Sequence, residues 1–356
     1  MPNPSTDSWP NDPLLHALQW TQNGHPAAVA TVIGTWGSSP RPVGSVMTIC
    51  GDGRVEGSVS GGCVEADVIS RAQEIMSGAP PTVLTYGVSN ETAWGVGLAC
   101  GGRLDVFVQA IGGVDGEEKG AFPAADLKAI AAALRDRRPV RLARRLDGAH
   151  QALVDGPNPN SLPDDILRAL TEPPRSGCAR VTDGADAEWF LQTIAPPPRL
   201  LIIGAVHIAQ ALAPMARLAG FTAAIIDPRT GLATPERFPG QTLLTDWPDD
   251  ALDNAHIDPT TAVVTLTHDA KLDDPALARA LVSPAFYVGA LGSRATQSSR
   301  LKRLAEIGVP DDALNRLRGP VGLAIGAIGA EEIALSIMAD IVATRRGARL
   351  SLEPGW

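Results

Sequence analysis

The chain has 356 residues, 44% of them hydrophobic and 19% charged, enough apolar material for two or three packed domains and too much for global disorder. Lys and Arg number 30 against 39 Asp and Glu, and the net charge of −9 excludes nonspecific nucleic-acid binding or an anionic membrane surface as the main task, since phosphate repels such a chain on average. Four cysteines are too few for a disulfide scaffold, no apolar run reaches the ~20 residues of a spanning helix, and Met1–Pro13 lacks the basic and apolar parts of a secretory signal, so a cytoplasmic location is expected.

In chain order, Asp12–Gln22 spaces Leu14, Leu15, Leu18 and Trp20 as an amphipathic helix. Ala27–Ile33 reads as a buried strand. Val46–Ile49 and a strand through Val55 flank Gly51-Asp52-Gly53, a hairpin signal. Val64–Met76 has helical spacing, and Val83–Tyr86 and Leu104–Ala110 read as strands, so an α+β domain is expected over residues 1–112. Residues 113–198 read as a linker and a small intermediate region. Within it, Gly112–Gly120 is linker, Asp126–Arg135 a helix and Gly156–Pro163 a loop, while Val140–Leu142, Ala152–Val154 and Trp189–Ile194 are strands. Pro196-Pro197-Pro198 is a stiff spacer. Over residues 199–356, strands at Leu200–Ile203, Thr222–Ile226, Thr242–Leu244, Ala262–Leu266 and Ala285–Ala290 are interspersed with helices at His207–Leu218, Pro275–Val282, Thr296–Ile307 and Glu331–Arg345. This pattern predicts an α/β fold with a Rossmann-like parallel sheet and helices on both faces.

Gly204-Ala205-Val206-His207 follows the first strand of that sheet. In a dinucleotide-binding turn a second glycine lets the backbone approach the pyrophosphate; Val206 fills that place and crowds it. Asp227 follows at about the spacing of an acid that holds a ribose. The expectation is a Rossmann sheet that binds NAD(P) weakly or not at all. His207 opens the next helix, where an imidazole either binds a ligand anion or packs locally. His268 and Asp269 follow another strand at the carboxyl end of the sheet, where open α/β sheets bind ligands. Ser293 and Arg294 offer a hydroxyl and a guanidinium at a helix start. Arg294 with Arg300 is the best basic docking candidate, with Arg41 and Arg103 as the substitute, while Lys302 and Arg303 read as a solvated face.

In the N-terminal domain Trp36–Gly44 places Ser38, Ser39 and Arg41 in a loop shaped by two prolines and two glycines, which either holds an anion or serves only as a turn. Ser60–Glu65 and Gly97–Gly102 set Cys63 and Cys100 beside Gly61-Gly62 and Gly101-Gly102. Bare glycine backbone accepts a bulky ligand, and a thiolate is favoured at a helix start. The alternative is a small buried cysteine, and Cys50 and Cys178 read as structural. Without a CxxC or HExxH pattern a protein-held zinc is poorly supported, and any metal ligands stay undefined.

Together, Ala30–Gly44, Gly57–Glu65, Gly97–Arg103, Leu200–His207, Leu266–Asp269, Tyr287–Arg294 and Gly319–Ile341 resemble the XdhC/CoxI family, accessory proteins for molybdenum hydroxylases such as xanthine dehydrogenase. The resemblance implies an N-terminal XdhC/CoxI domain, a C-terminal Rossmann domain, and a cofactor-binding chaperone rather than an enzyme. Such a protein binds the molybdenum cofactor (molybdopterin), protects it during sulfuration and delivers it to a molybdenum hydroxylase apo-enzyme. A cysteine desulfurase or sulfurtransferase is the second implied partner, and a homodimer is one allowed assembly. The implied cofactor contacts are Ser38, Ser39, Arg41, Gly61, Gly62, Cys63, Glu65, Cys100, Gly101, Gly102, His207, His268, Asp269, Ser293 and Arg294. Two positions depart from the family pattern: Val206 replaces a glycine, and Ala324 stands where the family often carries an aspartate. The rival readings are an NAD(P)-dependent oxidoreductase using the C-terminal domain, against which Val206 speaks, and a scaffold that docks a sulfurtransferase on the hydroxylase.

Overall fold

Asp12 starts the first helix: its carboxylate accepts the Leu14 amide at 2.9 Å, and Pro13 fills the first helical position. The structure, a computed structural model, describes residues 12–37, 41–87, 102–112, 120–154, 162–171 and 177–348. Its contacts divide the chain into two compact units, Met1–Pro196 and Pro197–Trp356. No helix among the described residues is long and apolar enough to cross a membrane.

In the first unit α1 (Pro13–Gln22) precedes β1 (Ala27–Trp36), β2 (Val46–Cys50), β3 (Val55–Gly57), α2 (Glu65–Met76), β4 (Thr82–Tyr86), β5 (Arg103–Ala110) and α3 (Ala124–Arg135). The strands form an antiparallel sheet ordered β3-β2-β1-β5-β4. β1 is central because both its faces are apolar. Ala28, Ala30 and Val32 pack with Val68, Ala72 and Ile75 of α2, while Ala27 and Val29 pack with Leu14 and Ala17 of α1 and Leu127 and Ile130 of α3. A second antiparallel sheet, ordered β7-β6-β9-β8, is built from β6 (Val140–Arg145), β7 (Gln151–Leu153), β8 (Cys178–Thr182) and β9 (Glu188–Ile194). Against it packs α4 (Asp164–Thr171), through Ile166 and Leu170. Apolar spacing anticipates neither α4 nor β8. The helix is short, and β8 is an edge strand with Arg180 and Thr182 exposed.

The second unit runs β10 (Arg199–Ile203), α5 (His207–Leu218), β11 (Thr222–Ile226), β12 (Thr242–Leu244), α6 (Pro248–Asn254), β13 (Thr261–Thr265), α7 (Ala270–Leu281), β14 (Tyr287–Ala290), α8 (Arg294–Glu306), α9 (Asp311–Leu314), β15 (Leu317–Arg318) and α10 (Gly329–Arg346). Its parallel sheet is ordered β12-β11-β10-β13-β14-β15, the doubly wound Rossmann order, with the switch between β10 and β13. Alternation along β10 sends Leu200 and Ile202 toward α5 and α10, and Leu201 and Ile203 toward α6 and α7. The short α6, α9 and β15 are not among the expected elements, and the largest boundary difference is at α7, which begins at Ala270 rather than Pro275. Asp269 caps it there by accepting the Lys271 amide at 2.9 Å, and burial of Leu272, Ala276 and Leu277 outweighs the interior proline.

At the switch point, Gly204 has φ +112°, and a Cβ there would lie 2.6 Å from Thr267 Cγ2. The turns after β10 and β13 approach this closely only because the side chain is absent. Gly204→Ala is expected to destabilise the second unit by about 2 kcal/mol, read as a lowered midpoint in urea unfolding; an unchanged midpoint would show that the turns relax freely.

Candidate functional site

Three of the glycine-rich segments meet at one end of the first sheet. The pairing of β1 with β5 sets Trp36 opposite Arg103, so the chain leaving β1 and the chain arriving at β5 share an edge. They touch through bare backbone, since a Cβ on Gly37 would lie 3.4 Å from Gly102 Cα. Arg41 donates through Nε to the Ser58 carbonyl at 3.2 Å, which ties the first segment to the turn before α2. Trp36 is exposed, and the Arg103 guanidinium lies 4.7 Å from its ring centroid. Ser38, Ser39, Cys100 and Gly101 lie outside the described residues.

The turn before α2 is organised around its own carboxylate. Glu65 Oε1 accepts the Ser58 hydroxyl at 2.8 Å and the Ser60 and Gly61 amides at 2.9 and 3.0 Å. Oε2 accepts the Gly62 amide at 2.9 Å, the Val64 amide at 3.2 Å and the Ser60 hydroxyl. Gly61 and Gly62 take φ of +85° and +120°, which lets their amides converge on the acid. This corrects one expectation: the donors of Gly61 and Gly62, read as a cradle for a ligand, already hold an internal anion, and Glu65 is the occupant of that cradle. Burial raises the Glu65 carboxyl, but the hydrogen bonds from Ser60 and Ser58 outweigh it and bring it down to about 2. The Cys63 amide donates to Ser60 Oγ at 2.9 Å, while the residue remains exposed.

Beneath this end lie buried charges that carry no motif. Asp105 is fully buried on β5 and accepts from Thr85 at 2.9 Å, Arg180 of β8 at 3.1 Å and Arg103 at 3.3 Å. Arg144 on β6 is fully buried within 6 Å of the rings of Phe107, Phe122 and Phe190, and its Nε has no hydrogen-bond partner among the described residues. Burial lowers its pKa to about 10 and pushes the nearby Cys178 thiol up to about 11, a rise that the charge of Arg144 opposes. Arg144 donates to Gln192 Oε1 at 3.1 Å, and Gln192 Nε2 donates to the Gly44 carbonyl at 3.0 Å. The relay orients an amide that holds the end of the Trp36–Gly44 loop. The one sequence signal for Asp105 is a charge among the apolar residues of β5, whereas Arg144 is one of three arginines in β6 and has none.

At the other end of β1, His25, Cys50 and Asp52 bring ligand atoms within 4.8 Å of one another, the one such group among the described residues. Arg54 pairs with Asp52 at 2.6 Å and lies 3.6 Å from Cys50 Sγ, so a cation already holds that corner.

In the second unit, His207, His268, Asp269, Ser293 and Arg294 all follow the carboxyl ends of β10, β13 and β14, which are neighbours in the sheet. His207 is exposed, its Nε2 4.0 Å from Glu331. His268 is exposed at φ +60°. Asp269 and Ser293 serve as helix caps, Ser293 accepting the Thr296 amide at 3.1 Å. Arg294 is exposed, but Arg300 is not the surface cation expected of it. It is buried, donates to the Leu291 carbonyl at 2.8 Å and to Gln297 at 3.1 Å, and lies 3.6 Å from Asp273. Lys302 is exposed as expected, and Arg303, partly exposed, pairs with Asp274 at 2.6 Å. Asp227 is fully buried, accepting the Ala205 amide at 2.7 Å and the Arg229 guanidinium at 2.7 and 2.8 Å. Val206 precedes α5 with φ −91° and ψ 174°.

A family model described as the XdhC and CoxI family matches residues 20–87, and one described as the XdhC Rossmann domain matches residues 200–341. The Escherichia coli protein named molybdenum cofactor insertion chaperone PaoD is 30% identical over 332 residues, 93% of this chain and 87% of that protein. A Bacillus subtilis protein named as a probable xanthine dehydrogenase component is 30% identical over 341 residues, 94% of this chain and 97% of its own length. A Bacillus halodurans crystal structure described as a xanthine dehydrogenase superposes with a TM-score of 0.74 at 27% identity, covering 96% of this chain and 98% of that one.

Two outcomes follow from the buried groups. Glu65→Gln is expected to destabilise the first unit by about 3 kcal/mol near neutral pH, because one amide cannot accept from all those donors. A carboxyl held low in the folded state stabilises above its unfolded pKa of 4.5, so the gap between wild type and variant should close as pH falls from there through about 2. Urea unfolding across that window measures it, and a constant gap would contradict the ionic role. Arg144→Met removes a buried cation without a carboxylate, so its unfolding midpoint should match or exceed wild type, while amide exchange at Gly44 quickens roughly tenfold.

Proposed function

Because the chain belongs to the XdhC and CoxI family, we propose that it is an accessory protein that binds the molybdenum cofactor and delivers it to a molybdenum hydroxylase of the xanthine dehydrogenase type. The observation that supports this reading best is the convergence at Trp36, Arg41, Cys63 and Gly102, where an exposed ring, guanidinium groups and an exposed thiol stand at one end of a sheet. These groups fit the chemistry of such a ligand. A pterin offers a flat face to Trp36, its phosphate is an anion for Arg41 and Arg103, and a soft metal centre accepts the Cys63 thiolate. Glu65 holds Cys63 in place without touching the ligand. When bound, the cofactor supplies the redox chemistry of the client enzyme; this chain binds, shields and releases it.

A carrier must present its cargo to a donor and an acceptor, and an exposed site suits that better than a closed pocket. In this reading a cysteine desulfurase or sulfurtransferase delivers sulfur while the cofactor is held. NAD(P) is not the ligand of the second unit. Asp227 gives its oxygens to Ala205 and Arg229, and Val206 crowds the pyrophosphate position.

The test is purification without oxygen from a host that makes the cofactor, followed by assay of molybdenum and of oxidised pterin fluorescence. Wild type should carry both. Cys63→Ala should retain roughly tenfold less molybdenum, as lost metal contacts commonly do, and Cys50→Ala should match wild type. A molybdenum-free wild type would sink the proposal, and equal retention in all three would remove Cys63 from the site. In calorimetric titration neither NAD nor NADP should bind; micromolar affinity for either would overturn the reading of the second unit.

A further inference from the structure

Three metal-ligating side chains stand where the turn after α1 meets the β2–β3 hairpin, at the end of β1 away from Trp36. An imidazole nitrogen of His25, Sγ of Cys50 and a carboxylate oxygen of Asp52 lie within 4.8 Å of one another. His25 and Asp52 are exposed, and Cys50 is buried. The backbone that carries them is fixed by its own bonds. β1 pairs Ala27 with Cys50, the Gly51 amide donates to the Pro26 carbonyl at 2.8 Å, and the His25 amide donates to the Trp20 carbonyl at 3.0 Å. A Cβ on Gly51 would lie 2.8 Å from Pro26 Cγ, so the two turns approach this closely because that side chain is absent. A tetrahedral zinc sets its ligand atoms about 3.5 Å apart, and rotation of the exposed His25 and Asp52 side chains supplies the remaining closure of about 1 Å.

One thiol, one imidazole and one carboxylate form a donor set for zinc, since calcium and magnesium take oxygen ligands. The ligands come from two turns rather than one motif, so no CxxC or HExxH spacing announces them. Arg54 serves the same groups in the metal-free protein. Its Nη2 lies 2.6 Å from Asp52 and 3.6 Å from Cys50 Sγ. An arginine recruited to this corner shows that the corner attracts positive charge. Its hold is weak, because both partners of the ion pair are about half exposed and solvent screens them. The Trp20 ring, its centroid 5.4 Å from the guanidinium, offers Arg54 a face to rest on once it leaves Asp52.

We propose that His25, Cys50 and Asp52 form a zinc site, completed by one water, that ties the turn after α1 to the β2–β3 hairpin. Binding takes up one Zn2+, releases the Cys50 thiol proton to solvent and frees Arg54 from Asp52. The site does not depend on the cofactor reading, so it is tested on the full cofactor-free chain, stripped with a chelator. Zinc is titrated against a chromophoric competitor, and cobalt is added separately as a spectroscopic substitute. Wild type should bind one zinc with about micromolar affinity or tighter, and its cobalt form should show a thiolate-to-cobalt charge-transfer band. Cys50→Ser should lose that band, while a variant with both Cys63→Ala and Cys100→Ala keeps it. His25→Ala, an exposed change that leaves the fold intact, should weaken zinc binding at least roughly tenfold. Arg54→Gln should act in the opposite direction and tighten it, because the competing cation is gone. Wild type that binds no zinc at about 100 μM overturns the proposal. So does a charge-transfer band that survives Cys50→Ser, a His25→Ala variant that binds zinc like wild type, or an Arg54→Gln variant that binds it no more tightly.

Discussion

The Glu65 carboxylate gathers amides and hydroxyls from Ser58 through Val64, and the geometry of the site end of the first sheet depends on it. Of these donors the Ser60 amide is buried, and without the carboxylate it would be left unmet. The chain supplies that anion from the first residue of α2. The turn is therefore rigid before any ligand arrives, and Cys63, between the acid and its glycines, is presented to solvent by a structure that already satisfies itself.

The layer beneath works by the same rule of satisfying buried charge, with unequal completeness. Asp105 is matched by Thr85, Arg103 and Arg180, and through Arg180 it links the two sheets of the first unit. Arg144 faces three phenylalanine rings instead of a carboxylate. Aromatic faces soften the cost of a buried guanidinium without removing it. What the cation contributes is direction: it fixes the Gln192 amide, and that amide holds Gly44. Stability given up in the core is thus exchanged for a fixed position of Gly44.

In the second unit the acid after β11 has partners within the Rossmann sheet itself. Asp227 braces the turn that a cofactor would otherwise approach, and Arg229 covers it. Arg300 and Arg303 bind carbonyls and acids of the same unit. The sheet order is that of a nucleotide-binding domain, while Asp227, Arg300 and Arg303 are occupied by partners within the unit.

Much of this was legible in the sequence because it rests on local periodicity. Continuous apolar runs mark β1 and β10, helical spacing marks α2 and α5, and a Gly-Asp-Gly turn marks the β2–β3 hairpin. The strand–helix pattern beyond the prolines determined the parallel sheet, and the conjunction of glycine-rich segments determined the family. The sequence could not show which donors were already spent. Gly61 and Gly62 look like an open anion cradle until the fold brings Glu65 back onto them, and Arg300 looks like a surface cation until α8 packs it against Asp273. Asp105, Arg144, Gln192 and Gly44 are distant along the chain, and only strand pairing makes them neighbours. Periodicity is written residue by residue, whereas the partner of a buried charge is decided by whichever strand or helix arrives beside it, and that is a property of the packed chain alone.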